Sequence, residues 1–596
     1  MATNDHANNG ELSKMPENIA RVEQLMQRMG AVLKRRKNLN QALDGPNHSL
    51  FINAGKVYWQ QVLQNPAQIF EQQMVFWGAS LQYFITAQQD SVTATQTAQT
   101  KFDIQDDPRF AHPLWHTNLY FKLLRQQYLL NSAIIRSSVA SLADLTPTDK
   151  QRLKYFCDQI IEIMAPTNFL MTNPEALEKA VATNGQSLID GLENLVNDLE
   201  ANDGELVVRL ADQSAFEVGV NIAISKGQVV FRNRMMELIQ YEAVQPEVRA
   251  VPLVIFPPWI NKYYILDLKA QNSFIKWVTE QGYTVFVVSW VNPDASYADV
   301  GIEEYINEGY LTALATVKEI TNRPRVNVIG YCIGGTVLSL VLSLFKKRGD
   351  ASIASATFFT TLTDFSQQGE FMPFLQDDFV DGIEQHVETY GLLPAFILSR
   401  TFSFLRSNDL IFQPAIKSYM LGETPPSFDL LYWNGDATGL PAKMVSQYLR
   451  ELCQKDRFAT SGLALLGEVL HLSDVSIPIC AIACENDHIA AWPDSYRGFQ
   501  QMRSRSKTFI LTQSGHIGGI INPPSKKKYG HYTNTDLRFS HSEWRDKATF
   551  HDGSWWPRWE RWLRGRSGNL GPAQTIGSSK FPPLCSAPGT YVRPRE

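Results

Sequence analysis

Cys332 stands in the run Gly330-Tyr331-Cys332-Ile333-Gly334-Gly335, after the apolar stretch 325–329 and before a helix-forming stretch. A sharp strand-to-helix turn strains its central residue and leaves no room for side chains beside it, a demand that glycines meet. The pattern is a nucleophile elbow with cysteine where serine more often stands. A helix N-terminus favours the thiolate form of a cysteine, which is the reactive one. The backbone amide of Ile333 then points where an oxyanion hole needs a donor. A buried core thiol in a glycine-rich turn is the plainer alternative, and strand, glycines and helix in register weigh against it. No Gly-x-Ser-x-Gly, nucleotide P-loop or dinucleotide Gly-x-Gly-x-x-Gly competes elsewhere in the chain.

An elbow of this kind works with an acid after a later strand and a histidine after the last one, in the chain order nucleophile, acid, histidine. The apolar run 477–484 is followed by Glu485-Asn486-Asp487-His488, and the run 508–512 by Gln513-Ser514-Gly515-His516. Asp487 and His516 are therefore the expected acid and base. Glu485 is a rival acid, and His488 reads as a neighbour that packs or hydrogen-bonds. Cys480 and Cys484 share one face of a strand, and no second Cys/His pair completes a tetrahedral metal site. They read as core thiols, and no metal is expected.

These residues need a sheet to hold them. Apolar runs at 251–256, 284–290, 325–329, 354–361, 477–484 and 508–512 alternate with helical stretches, the pattern of a mainly parallel sheet covered by helices. The expected fold class is α/β, in an α/β-hydrolase domain over 205–596. Between about 364 and 473 the alternation lapses into aromatic-rich sequence that includes Phe402, Phe404, Phe412, Tyr419, Phe428, Tyr432 and Trp433, read as an inserted lid or cap. Residues 1–204 are expected to form a mostly helical domain, with Val22, Met26, Met29 and Leu33 on one face and Phe70, Met74, Trp77, Leu81 and Phe84 on another. Lys34, Arg35, Arg36 and Lys37 follow the first face and fit either a solvated helix end or a lipidic surface. The polar stretch 88–100 reads as a linker or a mobile loop.

Of 596 residues, 44% are hydrophobic and 19% charged, which excludes a disordered chain. A net charge of -5 gives no global reason to bind nucleic acid. Six scattered cysteines read as reduced thiols of a cytoplasmic protein, and neither a signal peptide nor a spanning helix is expected.

At this point the sequence resembles the polyhydroxyalkanoate synthases, whose Gly-x-Cys-x-Gly-Gly box replaces the lipase serine elbow. The likeness extends to Pro257-Pro-Trp-Ile-Asn-Lys-Tyr-Tyr-Ile-Leu-Asp-Leu268, Ser289-Trp-Val-Asn-Pro-Asp294, Phe428-Asp-Leu-Leu-Tyr-Trp-Asn-Gly-Asp-Ala-Thr438, Ser514-Gly-His-Ile-Gly-Gly-Ile-Ile-Asn-Pro-Pro524 and Gly553-Ser-Trp-Trp-Pro557, and covers 105–590. The length resembles the single-polypeptide type.

The resemblance implies polymerisation of 3-hydroxyacyl-CoA, with 3-hydroxybutyryl-CoA the expected substrate, CoA released and no separate cofactor. It implies Cys332 as the acyl carrier, His516 as its base and Asp487 as the third member. Either His516 or Asp487 fits the role of activating the substrate hydroxyl. Trp259, Asn261, Tyr264 and Trp433, with Ile333 and His488, become candidates for the oxyanion and acyl pocket. Lys526, Lys527 and Lys528 become candidates for the CoA phosphates. A homodimer at the surface of a polymer granule is the implied setting. A thioesterase or depolymerase on the same fold, and a non-catalytic granule protein, are the alternatives.

Overall fold

The computed structural model describes residues 5–35, 107–141 and 146–593. The chain divides into two compact units, residues 1–210 with 400–426 and residues 211–399 with 427–596.

The first unit is helical, with α1 (Asp5–Leu33), α2 (Leu119–Ser141), α3 (Pro147–Ile163), α4 (Pro174–Ala182) and α5 (Gln186–Ala201). Thr146 and Asn173 cap α3 and α4 through their side chains, each followed by a proline whose missing N–H is not needed there. α1 packs along α5, where Arg21 pairs with Asp190 and Glu193, and Arg28 with Glu200. The buried positions of α1 are Leu25 and Val32, whereas Met26 and Leu33 are 50% and 46% exposed. The inner face therefore differs from the one expected. Among the described residues α1 packs against α5, and that contact takes the narrow stripe Val22, Leu25, Met29, Val32 over the neighbouring diagonal.

Lys34 and Arg35 are exposed, while Arg36, Lys37, the run from Phe70 to Phe84 and the stretch 88–100 lie outside the described residues. The segment 400–426, inside the stretch read as an insertion, groups with this unit. The Tyr419 hydroxyl donates to Asp198 at 2.6 Å, and Gly191 leaves no room for a side chain against the Tyr419 carbonyl.

The second unit is built on a sheet of eleven strands: β1 (Gly227–Arg232), β2 (Met236–Tyr241), β3 (Leu253–Phe256), β4 (Val285–Trp290), β5 (Val326–Tyr331), β6 (Ile353–Phe359), β7 (Ile479–Cys484), β8 (Lys507–Thr512), β9 (His531–Thr533), β10 (Thr549–His551) and β11 (Cys585–Ser586). Their order is β10-β9-β8-β7-β6-β5-β3-β4-β2-β1-β11. The six strands from β8 to β4 run parallel. Antiparallel pairs extend both edges.

Every residue of β3, β4, β5 and β7 is buried, as strands covered on both faces must be. The helices of this unit include α6 (Phe274–Glu280), α7 (Thr312–Thr321), α8 (Ile333–Arg348), α9 (Asp377–Tyr390), α10 (Asp429–Gly435), α11 (Trp492–Gln501) and α12 (Trp556–Arg564). α8 leaves the elbow and is buried without a break from Ile333 to Phe345. The six strands read from the sequence are all present. The antiparallel ones were not legible: β9, β10 and β11 span two or three residues each, and in β1 and β2 the polar Gln228, Glu237 and Gln240 interrupt the apolar run.

Candidate active site

The elbow forms where β5 turns into α8. Cys332 has φ 52° and ψ -126°, a conformation that non-glycine residues rarely adopt and that persists only where the surroundings enforce it. A Cβ at Gly330 would lie 2.5 Å from the Gly335 Cα, and one at Gly334 would lie 2.8 Å from the Pro257 carbonyl oxygen. The Cys332 amide donates to the Phe359 carbonyl at 2.9 Å, which fixes the turn to the end of β6. The Ile333 amide opens α8 and, like other first-turn amides, has no carbonyl one turn behind it to bond.

Asp487 lies on the loop after β7 and His516 on the loop after β8. The two hydrogen-bond, His516 Nδ1 to Asp487 Oδ2, at 2.8 Å. The other carboxylate oxygen accepts the amides of Ile489 and Ala490 at 2.8 and 2.9 Å. A carboxylate held this way orients the ring and leaves Nε2 for the nucleophile. Burial alone would lower the His516 pKa. The charges of Asp487 and Cys332, together with hydrogen bonds from both, outweigh burial and raise it. The Tyr331 hydroxyl donates to the His516 carbonyl at 3.3 Å, a support the sequence reading missed although Tyr331 adjoins Cys332. His516 and Asp487 are buried, and Cys332 is half-buried.

Glu485, the rival acid, is engaged elsewhere: Arg545 donates to one of its oxygens from Nε and Nη2, at 3.0 and 2.7 Å. His488 is half-buried beside Asp487. Cys480 and Cys484 are fully buried, and burial raises both thiols.

The loop 257–264 begins against the elbow. Pro257 and Pro258 have no N–H, so Trp259 supplies the first amide after β3. The Trp259 ring is buried and stacks on Tyr305 at 4.4 Å, with no partner for its indole N–H. The other candidates on this side are engaged by the scaffold. The Tyr264 hydroxyl donates to Asp436 at 2.8 Å, the Trp433 indole donates to the Lys262 carbonyl at 2.6 Å, and the Asn261 side chain accepts the Lys262 amide at 2.7 Å. Tyr264 and Trp433 thus bind the loop to α10 and the residue after it, while Asn261 braces the loop from within. Lys526, Lys527 and Lys528 are exposed. An open cavity of about 560 Å³, lined in part by Gln368, Met372, Arg450 and Lys455, contains none of the three central residues.

A parallel sheet with a nucleophile elbow after one strand and a hydrogen-bonded acid and histidine after two later ones defines the α/β-hydrolase class, and the family model "alpha/beta hydrolase fold" matches residues 252–523. A second model, "Poly-beta-hydroxybutyrate polymerase (PhaC) N-terminus", matches residues 106–278. The poly(3-hydroxyalkanoate) polymerase of Methylorubrum extorquens is 39% identical over 517 residues, covering 86% of this chain and 85% of the relative. The poly(3-hydroxyalkanoate) polymerase subunit of Cupriavidus necator is 39% identical, with 82% and 83% covered. That of Rhizobium meliloti is likewise 39% identical, with 82% and 80% covered. The chain belongs to the poly(3-hydroxyalkanoate) polymerase family.

Proposed function

We propose that this chain polymerises 3-hydroxyacyl-CoA, with 3-hydroxybutyryl-CoA as its substrate, through a thioester on Cys332. His516 takes the Cys332 proton through Nε2, the sulfur attacks the substrate carbonyl, and the oxyanion meets the Ile333 and Trp259 amides. The C–S bond to CoA breaks and the imidazolium returns its proton to the departing thiolate. The 3-hydroxyl of the next 3-hydroxyacyl-CoA then gives up a proton to His516 or Asp487 and attacks the acyl carbon held on Cys332. The C–S bond to Cys332 breaks, the proton returns to its sulfur, and the lengthened chain, now a CoA thioester, passes back to Cys332 with release of CoA. Exchange of one thioester for another is nearly isoenergetic, so the chain stays activated between additions. The observation that carries this reading is a cysteine at a strained elbow, coupled by charge and hydrogen bonding to an imidazole that Asp487 orients.

The exposed Lys526, Lys527 and Lys528 suit the CoA phosphates, and no further cofactor enters the scheme. Residues 1–204 serve the granule surface and a homodimer, a role supported by the exposed apolar Met164, Phe169, Met171 and Val181 of their helices and turns. Among the described residues no helix is long and apolar enough to cross a membrane, so attachment to the granule is peripheral in this reading.

The test is CoA release from 3-hydroxybutyryl-CoA with the product recovered. Insoluble polyester is expected, and soluble free acid alone would make the chain a thioesterase. Cys332→Ala should abolish release, and turnover by that variant would remove the nucleophile assignment.

A further inference from the structure

Lys262 carries a charge where charge is poorly solvated. Its side chain is 4% exposed, and its ammonium donates to the Val592 carbonyl at 2.8 Å and lies 3.6 Å from Asp436 Oδ1. Burial lowers its pKa, and Asp436 opposes the shift. A methionine would fill the same volume without desolvating a cation, so packing does not explain the residue.

Three segments meet on it. The Lys262 carbonyl accepts the Trp433 indole at the end of α10, while Tyr264, two residues on, donates to the same Asp436 that faces the ammonium. The Thr438 amide donates to the Ile260 carbonyl at 3.3 Å, which continues the attachment. These bonds seat one flank of the loop 257–264. The third segment is 585–593, which is itself fixed. β11 pairs with β1, and the fully buried Glu237 accepts the Thr590 amide at 2.9 Å, the Thr590 hydroxyl at 2.8 Å and the Tyr591 amide at 3.0 Å. The Tyr591 hydroxyl donates to the Asn233 carbonyl at 2.7 Å. The other flank of the loop touches the elbow: the Phe256 and Pro257 carbonyls crowd Gly334, and the Trp290 indole donates to Pro257 at 2.9 Å.

We propose that Lys262 is a positioning residue that ties the segment 585–593 to the loop beside Cys332, so that this distant segment sets where the loop stands during acyl transfer. The proposal rests on the reading of the chain as a polymerising acyltransferase. It assigns Lys262 no contact with substrate. Loosening the tie displaces the loop and leaves the Cys332–His516 pair intact.

The test compares the full chain with Lys262→Met, with a chain ending at Pro588, and with the two changes combined. CoA release gives kcat and KM, and the rate of Cys332 alkylation by iodoacetamide reports the nucleophile and its base. Each single change should lower kcat by roughly tenfold, the scale of a slight misplacement near a reaction centre. KM and the alkylation rate should stay within about twofold, and the combination should lose no more than either change alone, as for two ends of one linkage. A kcat for Lys262→Met within about twofold of the full chain, or losses that multiply, overturns the proposal. If Lys262→Met does not fold, the shortened chain decides: full kcat refutes the tie, and lost kcat with unchanged KM and alkylation supports it. If neither folds, the contact is a structural bond alone and the proposal fails. A full chain that releases no CoA refutes the functional reading instead.

Discussion

Asp487 and Glu485 stand two residues apart on one exit loop, and their partners separate them. Arg545, stacked over the Tyr532 ring at 3.4 Å, takes Glu485, while Asp487 takes two backbone amides and the imidazole. Asp487→Asn keeps the shape but reverses the sense of the bond to Nδ1, so CoA release should fall about 10³- to 10⁴-fold. Glu485→Gln should change it by less than about threefold, because it weakens only a partly exposed ion pair. A comparable loss in both variants would mean that the two carboxylates share the task. Chain order made the placement of Cys332, Asp487 and His516 after successive strands legible, and with it the meeting of Asp487 and His516. The choice between the carboxylates was not decided by order, because Arg545 lies sixty residues away in sequence. Nor could order show that the Tyr264 hydroxyl and the Trp433 indole are taken by Asp436 and the Lys262 carbonyl.

The elbow is the element most constrained by its surroundings. The space that a Cβ would need at Gly334 is filled by backbone carbonyls of the loop after β3, which cannot swing aside as a flexible side chain can. Gly334→Ala should therefore destabilise the fold by about 1–3 kcal/mol, the usual scale of overpacking. It should also lower CoA release at least about tenfold by pushing the loop from the nucleophile, and thermal melting with the activity assay reads both. Unchanged melting and activity would show that the loop yields easily.

At this scale the parallel strands were legible because burial on both faces leaves an unbroken apolar run. The antiparallel edges were not, since β9, β10 and β11, of two or three residues, give no period to read, and Gln228, Glu237 and Gln240 break the apolar run in β1 and β2. The face of α1 was misplaced because three- and four-residue steps describe two neighbouring stripes, and only the partner helix chooses between them.

Across the whole molecule the insertion is rooted beside the helix that follows Asp487. Arg497 on α11 meets Asp364 at 3.1 Å and Asp494 at 3.0 Å, and Asp456 accepts the Phe365 amide at 3.0 Å. Burial, with Asp364 adding to it, raises the Asp456 carboxyl to about 6 against the opposing Phe365 amide and Arg497. A folded-state pKa above the ordinary carboxylate value means that the folded chain holds a proton the unfolded chain has released. Stability from this group is therefore lost as pH rises from about 4 to about 6. Asp456→Asn keeps an oxygen for the Phe365 amide without the charge, so it should melt higher than the unchanged protein near pH 8. The gain should vanish near pH 4, and an equal gain at both would place the effect in packing. The aromatic insertion was legible as a break in alternation. That residues 400–426 group with the helical unit was not, since the Tyr419–Asp198 bond joins positions 221 residues apart.

The pairing of β1 with β11 has a kinetic side. Glu237 and its partner Thr590 are separated by 353 residues, and a ribosome adding about 5–20 residues per second takes roughly 20–70 s to cover that distance. Throughout that interval the outer rim of β1 presents unsatisfied amides and carbonyls, a template on which a neighbouring nascent chain can dock. Soluble yield should accordingly follow the supply of chaperones during translation, and crowded polysomes are where misassembly would begin.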